Sequence, residues 1–220
     1  MLVTWQRVHA VIEKKLNEEP RTELKTIAPS NVLIVAGPAA SGKTTFATRL
    51  ALRLSSCLFD LDQVTGPLVE QCLALLGQPD YALDQELGQT LRAARYDSLL
   101  SAATANILLG RHVVIAAPFS REIHSQDAWQ DMVARWSYSA RSVRTELVFL
   151  ECPATLLRER LARRGENRDL LKIELGVDLS SPAPRVDYHA VDGTADSEYE
   201  VDRLLGELHL GLPPVVSAGV

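Results

Sequence analysis

Short apolar runs alternate along this chain with longer segments in which apolar residues recur every three or four positions. The short runs have the length and composition of buried strands, and they cover residues 32–36, 57–60, 112–117, 144–150 and 188–191. The segments with helical spacing cover residues 43–54, 67–76, 84–109, 123–137, 154–164, 170–175 and 196–208. This alternation predicts an α/β fold in which helices cover both faces of a parallel sheet. Ligands of such sheets bind beyond the carboxyl ends of the strands.

The regular alternation begins only after residue 30, so we divide the chain into three parts. Residues 1–30 hold a helical segment, with apolar positions such as Trp5, Val8 and Leu16, followed by a polar linker. Residues 31–210 are predicted to form one domain, and residues 211–220 a tail. The pattern leaves open whether the N-terminal helix packs on the domain, covers its ligand site or forms a dimer contact.

The strongest chemical signal is the loop between the first predicted strand and the helix that follows it. Residues 37–44 read Gly-Pro-Ala-Ala-Ser-Gly-Lys-Thr, which fits the phosphate-loop pattern G-x-x-x-x-G-K-[ST] in full. Small residues let backbone N–H groups close around phosphate oxygens at a helix N-terminus, and Lys43 adds a positive charge near the β- and γ-phosphates. The Thr44 hydroxyl can bind Mg²⁺. With ATP and Mg²⁺ as cofactors, the predicted contacts are Gly37, Ala39, Ala40, Ser41, Gly42, Lys43, Thr44 and Thr45.

Two carboxylates, Asp60 and Asp62, come at the end of the second predicted strand. If the chain stays extended there, both side chains point to one face, because strand side chains alternate with a period of two. A carboxylate at that end of the sheet can accept a proton from a substrate hydroxyl or hold a Mg²⁺-bound water. We interpret Asp62 as the general base, and Asp60 as a support for the base or the metal. The alternative is a helix cap or a turn, which suits one aspartate better than two.

Together, the phosphate loop, the two aspartates and the run Gly-Arg-His-Val-Val-Ile at residues 110–115 resemble the P-loop small-molecule kinases. This group contains gluconate, shikimate, adenylylsulfate and chloramphenicol kinases and the AAA_33-type kinase domains. The resemblance covers roughly residues 32–208. It implies a three-layer P-loop NTPase fold with five parallel strands in the order 2-3-1-4-5, as in nucleoside-monophosphate kinases. It also implies ATP, Mg²⁺ and a mobile lid after the fourth strand.

By this resemblance, the lid is the arginine-rich segment 158–168. Its place in the helix makes Arg160 a candidate to stack on adenine, and Arg164 and Arg168 are candidates to reach the transferring phosphate. The loop at Asp192 and Gly193 is similar to the loop that passes the adenine in this group. The alternative for the lid is a solvated helix end, whose arginines complement the helix dipole.

The acceptor side departs from the pattern of the group and is less defined. Many of these kinases carry an arginine three residues after the second aspartate, where this chain has Thr65, and here the third strand ends without a carboxylate. Arg121 is a candidate contact for the substrate or the γ-phosphate. Arg92, Arg95 and Tyr96 share one helix face and could meet a polar or anionic acceptor, although a surface face of ion pairs fits the same spacing.

These features predict an ATP-dependent phosphotransferase that moves the γ-phosphate to a hydroxyl of a small molecule. The acceptor classes compatible with the sequence are metabolites, sugar-like compounds, nucleosides and antibiotics. The alternative is a nucleotide-binding ATPase or switch protein that acts through a partner. A switch more often shows a carboxylate that ends an apolar strand, as in the Walker B motif, and none is evident in this sequence.

Charge and cysteine content change this interpretation little. The net charge of -5 argues against nucleic acid or an anionic membrane as the main partner. No apolar run reaches the ~18 residues that a membrane span needs, and the N-terminus lacks the apolar block of a signal peptide. The three cysteines are typical of reduced core thiols, so we expect a cytoplasmic protein without a membrane partner. The oligomeric state, monomer or dimer, stays open.

Overall fold

The computed structural model describes residues 29–78, 86–137, 142–176, 179 and 181–210, together with Ala10 and Lys14. The predicted C-terminal tail, and the predicted N-terminal helix apart from those two residues, lie outside this part of the chain. One sheet forms the centre of the described part. Its strands are β1 (Ser30–Ala36), β2 (Cys57–Asp60), β3 (Val113–Ala116), β4 (Val143–Glu151) and β5 (His189–Asp192).

The strands lie in the order β2-β3-β1-β4-β5, and all neighbours are parallel. The predicted order 2-3-1-4-5 is therefore confirmed. All seven residues of the central strand β1 are buried, because strands pack on both sides of it and helices cover both of its faces. The carboxyl ends of the five strands meet at one edge of the sheet. The phosphate loop follows β1 at this edge, and Asp60 ends β2 there.

Helices pack on the two faces of the sheet, which makes the fold three-layered as predicted. They are α1 (Lys43–Leu54), α2 (Leu61–Leu75), α3 (Glu86–Leu108), α4 (Gln126–Ser137), α5 (Ala154–Arg164), α6 (Asn167–Glu174) and α7 (Ser197–Glu207). One core joins the sheet to α3 and α4 and includes Ile34 and Trp136. The other joins it to α1 and α7 and includes Leu33, Leu50 and Leu204. Among the described residues, no helix combines the length and the apolar character of a membrane span.

One helix differs from the prediction in a way that matters for the site. The helix predicted over residues 67–76 begins at Leu61, directly after β2. The carboxylate of Asp60 accepts hydrogen bonds from the backbone N–H groups of Asp62, at 3.0 Å, and Gln63, at 3.2 Å. This side-chain cap satisfies two N–H groups of the first helical turn. The expectation that the strand stays extended through Asp62 is therefore wrong, and only Asp60 belongs to the sheet.

Candidate nucleotide and acceptor site

The phosphate loop turns sharply between β1 and α1. Gly37 has φ 145°, and a side chain at this position would place its Cβ atom 2.9 Å from the Leu150 carbonyl oxygen of β4. Glycine is therefore required where the loop leaves the sheet. Ala40, at the turn of the loop, also has a positive φ, of 61°. A non-glycine residue in this region costs free energy and is held in place by its surroundings, as is common at ligand sites.

The N-terminus of α1 is arranged to receive an anion. Gly42 stands at the N-cap position and offers no side-chain hydrogen bond, and the first turn of α1 contains no acidic residue. Backbone N–H groups of a first helical turn have no partner within the helix. The helix dipole places partial positive charge at the same point. The residues present therefore fit the phosphate groups of a nucleotide.

Lys43 extends beside this loop and carries an unusual pKa. Its Nζ atom donates a hydrogen bond to the Pro38 carbonyl at 2.5 Å. Burial lowers the pKa of Lys43 to about 8; the Asp62 carboxylate opposes this shift, the Arg164 guanidinium adds to it, and Asp60 opposes it. The charges of the lid residue Arg164 and of both carboxylates thus act on Lys43. An anion bound between Lys43 and Arg164 would stabilise both positive charges.

The Thr44 hydroxyl points to the end of β2. Its Oγ1 atom donates a hydrogen bond to Asp60 Oδ2 at 2.8 Å, while Asp60 Oδ1 caps α2. Asp60 is only 6% exposed. A hydroxyl whose proton is directed to a carboxylate keeps its lone pairs free for a cation. Within the described residues, no group of three or more histidine, cysteine or acidic side chains is placed to hold a metal. Thr44, supported by Asp60, therefore fits a Mg²⁺ ion that takes its other ligands from phosphate and water.

Asp62 lies in the first turn of α2 and points toward α3. Its side chain is 79% exposed, and Oδ1 accepts a hydrogen bond from Arg95 Nη2 at 2.5 Å. The Nε atom of Arg95 donates to Thr65 Oγ1 at 2.9 Å. Of the predicted face Arg92, Arg95 and Tyr96, it is Arg95 that meets α2, where it is paired with the candidate base.

Arg92 and Tyr96 form a second cluster one turn away on α3. Arg92 makes two hydrogen bonds to the Glu122 carboxylate, at 3.0 and 3.3 Å, and lies 4.2 Å from the centre of the Tyr96 ring. The Tyr96 hydroxyl accepts the backbone N–H of Phe119 at 3.0 Å. Burial raises the pKa of Tyr96 to about 12. Tyr96 therefore stays neutral and contacts both Arg92 and the loop after β3. Its contact with an acceptor stays a prediction.

Arg160, on α5, connects the lid to two loops. Its guanidinium donates hydrogen bonds to the carbonyl oxygens of Ala40 at 3.2 Å, Ser41 at 3.3 Å and Gly193 at 2.9 Å. These contacts fix the phosphate loop against the loop after β5. These hydrogen bonds use the N–H groups at the edge of the guanidinium, whereas stacking would use its flat face. Stacking of Arg160 on an adenine base therefore stays a prediction.

Seven of the predicted nucleotide residues line one cleft of about 470 Å³, whose lining does not include Gly37, Ala39, Lys43 or Thr44. Gly42, Thr45, Arg160, Asp192 and Gly193 are among them. The exposed lid arginine Arg164 also lines the cleft. So does Arg163, which the sequence did not indicate as a site residue. The side chain of Arg168 lies outside the described residues. The cleft has an arginine-rich wall opposite the α1 N-terminus, which suits a polyphosphate.

The chain segment before β5 brings in one more residue that the sequence did not indicate. Arg185 is exposed, and its backbone N–H donates a hydrogen bond to the Ile123 carbonyl at 2.8 Å. Ile123 lies in a short 3-10 helix, Glu122–His124, whose first residue is paired with Arg92. Arg121 is exposed just before that helix. Arg121 and Arg185 are thus both adjacent to this short helix, and only the return of the chain toward β5 brings Arg185 there.

Replacing Gly193 with alanine should loosen the nucleotide cleft. The new Cβ atom would lie 2.8 Å from the Glu151 carbonyl oxygen and 3.0 Å from that of Ser41. Overpacking against backbone atoms should lower the free energy of unfolding by about 1–3 kcal/mol. Nucleotide affinity should fall as well, since the loop must move away from Ser41.

Urea denaturation and titration calorimetry with ATP measure the two effects of Gly193→Ala. Gly206→Ala is the matched control, because nothing lies within 4 Å of its added Cβ atom in α7. That control should gain about 0.5–1 kcal/mol, because alanine favours the helix. Wild-type stability and affinity in Gly193→Ala would contradict the tight contact.

Comparisons with known proteins agree with this fold. The AAA_33 family profile, described as an AAA domain, matches residues 32–175. A sugar kinase structure from Janibacter sp. HTCC2649 shares 19% identity over 87% of this chain and 100% of its own, with a TM-score of 0.54. An APS kinase from Mycobacterium tuberculosis, solved with AMPPNP and APS, shares 15% identity over 82% of this chain and 98% of its own, with a TM-score of 0.55.

A gluconokinase from Sinorhizobium meliloti 1021 is similar as well, at 18% identity over 84% of this chain and 98% of its own, with a TM-score of 0.50. The comparison with curated proteins gave no match. At these identities, the solved structures show a common fold and leave the reaction to be argued from the site.

Proposed function

The chain belongs to the AAA domain family, and on that premise we propose that it is an ATP-dependent kinase of small molecules. It would transfer the γ-phosphate of ATP to an acceptor hydroxyl. One observation carries the proposal: Asp60 accepts hydrogen bonds from the phosphate-loop hydroxyl of Thr44 and from the backbone N–H of Asp62, whose carboxylate is 79% exposed and acts on the pKa of Lys43. A base thus lies within electrostatic range of the place where a γ-phosphate would bind.

The fit of the site to ATP and Mg²⁺ supports this proposal. The phosphate loop and the bare N-terminus of α1 would hold the phosphates, and the cleft at Arg160, Asp192 and Gly193 would receive the adenosine. Thr44 and Asp60 would hold Mg²⁺. When bound, ATP with Mg²⁺ supplies the phosphoryl group, which forms a bond to the acceptor oxygen as the bond to ADP breaks.

The residues of the chain then have separate tasks. Asp62 accepts the proton of the acceptor hydroxyl, for which its exposed position gives access. Lys43 and Arg164 hold positive charge beside the phosphoryl oxygens, where negative charge spreads in the transition state. Arg121 and Arg185 flank the acceptor side and orient polar groups of the acceptor. Closure of the lid segment 158–168 excludes water, so that phosphoryl transfer to the acceptor is faster than hydrolysis of ATP.

We also propose that residues 31–210 form the kinase domain, since the fold elements from β1 to α7 fall within them apart from Ser30, the first residue of β1. We expect it to act in the cytoplasm on a small-molecule partner.

The proposal is tested by incubating the full chain with ATP and Mg²⁺ and a panel of hydroxyl compounds. The panel contains sugars, sugar acids, nucleosides and aminoglycoside or phenicol antibiotics, with mass spectrometry as the readout. A product heavier by one phosphoryl group supports the kinase. ATP binding with hydrolysis that only a protein partner stimulates, and no product from the panel, would favour the switch protein instead.

Replacing Asp62 with asparagine should separate the chemistry from nucleotide binding. The amide cannot take the hydroxyl proton, so transfer should fall by about 10²-fold or more. The affinity for ATP should stay close to the wild-type value, because the proposed nucleotide contacts come from the phosphate loop, Arg160 and the loop after β5, and not from Asp62. Product formation and calorimetric titration with ATP measure the two quantities. Wild-type rates of transfer in this variant would rule out Asp62 as the base.

A further inference from the structure

We infer that Arg95 is a positioning residue that holds the Asp62 carboxylate ready for the acceptor hydroxyl. This inference rests on the proposed function and adds a part to it. Arg95 stands on α3, and the sequence suggested for it either a contact with the substrate or a place in a surface face of ion pairs. The geometry points to a different task, which is to fix the base.

Arg95 is fixed from two directions. Its Nε atom donates to Thr65 Oγ1 at 2.9 Å, and the Thr65 hydroxyl donates to the Leu61 carbonyl at 2.6 Å. Thr65 is buried. The guanidinium is planar and rigid, so a bond at Nε also sets the direction of Nη2. This second atom donates to Asp62 Oδ1 at 2.5 Å.

The exposures of the two side chains show which of them is the anchor. The Arg95 side chain is 17% exposed, whereas that of Asp62 is 79% exposed. A carboxylate so open to water would otherwise sample several rotamers, and catalysis loses rate when a reacting group is misplaced. Arg95 therefore orders Asp62, and not the reverse.

The backbone of Asp62 is held as well. Its N–H donates to Asp60 Oδ1 at 3.0 Å, so Asp60 fixes the main chain while Arg95 fixes the side chain. Among the described residues, the Asp62 Oδ2 atom makes no hydrogen bond to the protein. The arrangement thus occupies one carboxylate oxygen and leaves the other for a proton from the acceptor.

The other arginines near this helix pair have separate partners. Arg92 is bound by Glu122, and Arg135 of α4 is bound by Asp97 of α3 at 2.6 Å. The Arg135–Asp97 pair resembles the Arg95–Asp62 pair in joining two helices and in being partly exposed, but neither of its residues is among the candidate site residues. It therefore provides a matched control for the loss of an ion pair between helices.

A double-mutant cycle tests the inference on the compound that the panel identifies. Arg95→Met should lower the turnover number by about tenfold or more, with the KM for ATP unchanged. In the Asp62→Asn background, the same substitution should have no further effect beyond about twofold, since there is no base left to position. Arg135→Met should stay within about twofold of the wild type.

Three outcomes would overturn the positioning role. Arg95→Met could reduce turnover by the same factor with and without Asp62, which would mean that Arg95 acts on the acceptor itself. It could raise only the KM for the acceptor, which would make Arg95 a binding residue. Arg135→Met could reduce turnover as much, which would make the effect a general consequence of a lost ion pair.

A measurement without any acceptor separates this inference from the kinase proposal. In ¹⁵N NMR spectra of the full chain, the Arg95 Nε–H signal should be protected from exchange with water. Thr65→Val should remove that protection, and Arg135→Met should leave it. An unprotected signal in the wild type would overturn the inference alone. A protected signal in a chain that phosphorylates no compound of the panel would count against the kinase proposal and not against the contact.

Discussion

Replacing Lys43 with methionine should abolish most of the phosphoryl transfer and at the same time make the nucleotide-free protein more stable. Among the described residues, the Lys43 ammonium has one hydrogen bond, to Pro38, and burial lowers its pKa from 10.5 to about 8. Keeping it charged at neutral pH costs about 3 kcal/mol by this shift. We expect the variant to recover about 1–2 kcal/mol of this, because the bond to Pro38 is lost with the charge.

The same variant should transfer phosphate about 10²–10³-fold more slowly, because a positive charge opposite the reacting phosphoryl group is removed. Urea denaturation and product formation measure the two effects. Arg111→Met is the control, since Arg111 is an exposed cation before β3, at the opposite edge of the sheet from the phosphate loop. It should change neither quantity. A Lys43→Met protein that is less stable and still active would contradict both parts of the prediction.

The stability difference between Lys43→Met and the wild type should depend on pH in a defined direction. The folded state has the lower lysine pKa, so the cost of the buried charge is fully present below pH 8. It fades as the pH rises from about 8 toward 10.5, the value for the unfolded chain. The advantage of the variant should shrink over this window. Wild-type affinity for ATP should weaken as the pH rises through 8, because the neutral amine no longer attracts phosphate.

The parts of this molecule that sequence patterns could predict are those determined by neighbours along the chain. The apolar run before Gly37 has no polar alternation, and β1 is buried on both faces as that run requires. The spacing of Gly37, Gly42, Lys43 and Thr44 predicted a loop whose backbone and helix N-terminus both fit phosphate. Strand order followed from the resemblance of these segments to known kinases, and the sheet confirms it.

The parts that the sequence could not predict depend on which of two local interactions is stronger, or on packing between distant helices. At Asp60 the strand could have continued, but the carboxylate caps two N–H groups and starts α2 at once. The Arg95–Asp62 contact joins residues 33 positions apart, and the Arg92–Glu122 contact residues 30 positions apart. Neither pairing has a sequence signature, because each exists only once α3 has packed against its neighbours.

Replacing Asp60 with asparagine should uncouple the two tasks of this side chain, since only one of them needs a charge. The helix cap uses Oδ1, which the amide retains, so the free energy of unfolding should change little. In the wild type, the Thr44 hydroxyl donates a hydrogen bond to Asp60 Oδ2 at 2.8 Å. An amide nitrogen in that place would donate a hydrogen bond to the Thr44 hydroxyl instead. A lone pair of the hydroxyl oxygen would accept that bond and would no longer be available to Mg²⁺. We expect transfer to fall by about 10²-fold and the Mg²⁺ concentration for half-maximal transfer to rise.

Two further variants separate the cap from the metal support. Asp60→Ala removes both tasks and should also lose about 1 kcal/mol of stability. Asp196 caps α7 in the same way, with bonds of 2.7 and 3.2 Å to the N–H groups of Glu198 and Tyr199, so Asp196→Ala should lose similar stability. Its Mg²⁺ requirement should remain that of the wild type. If Asp60→Asn also kept the wild-type Mg²⁺ requirement, Asp60 would be a helix cap only, and Thr44 would orient toward the metal without help from the end of β2.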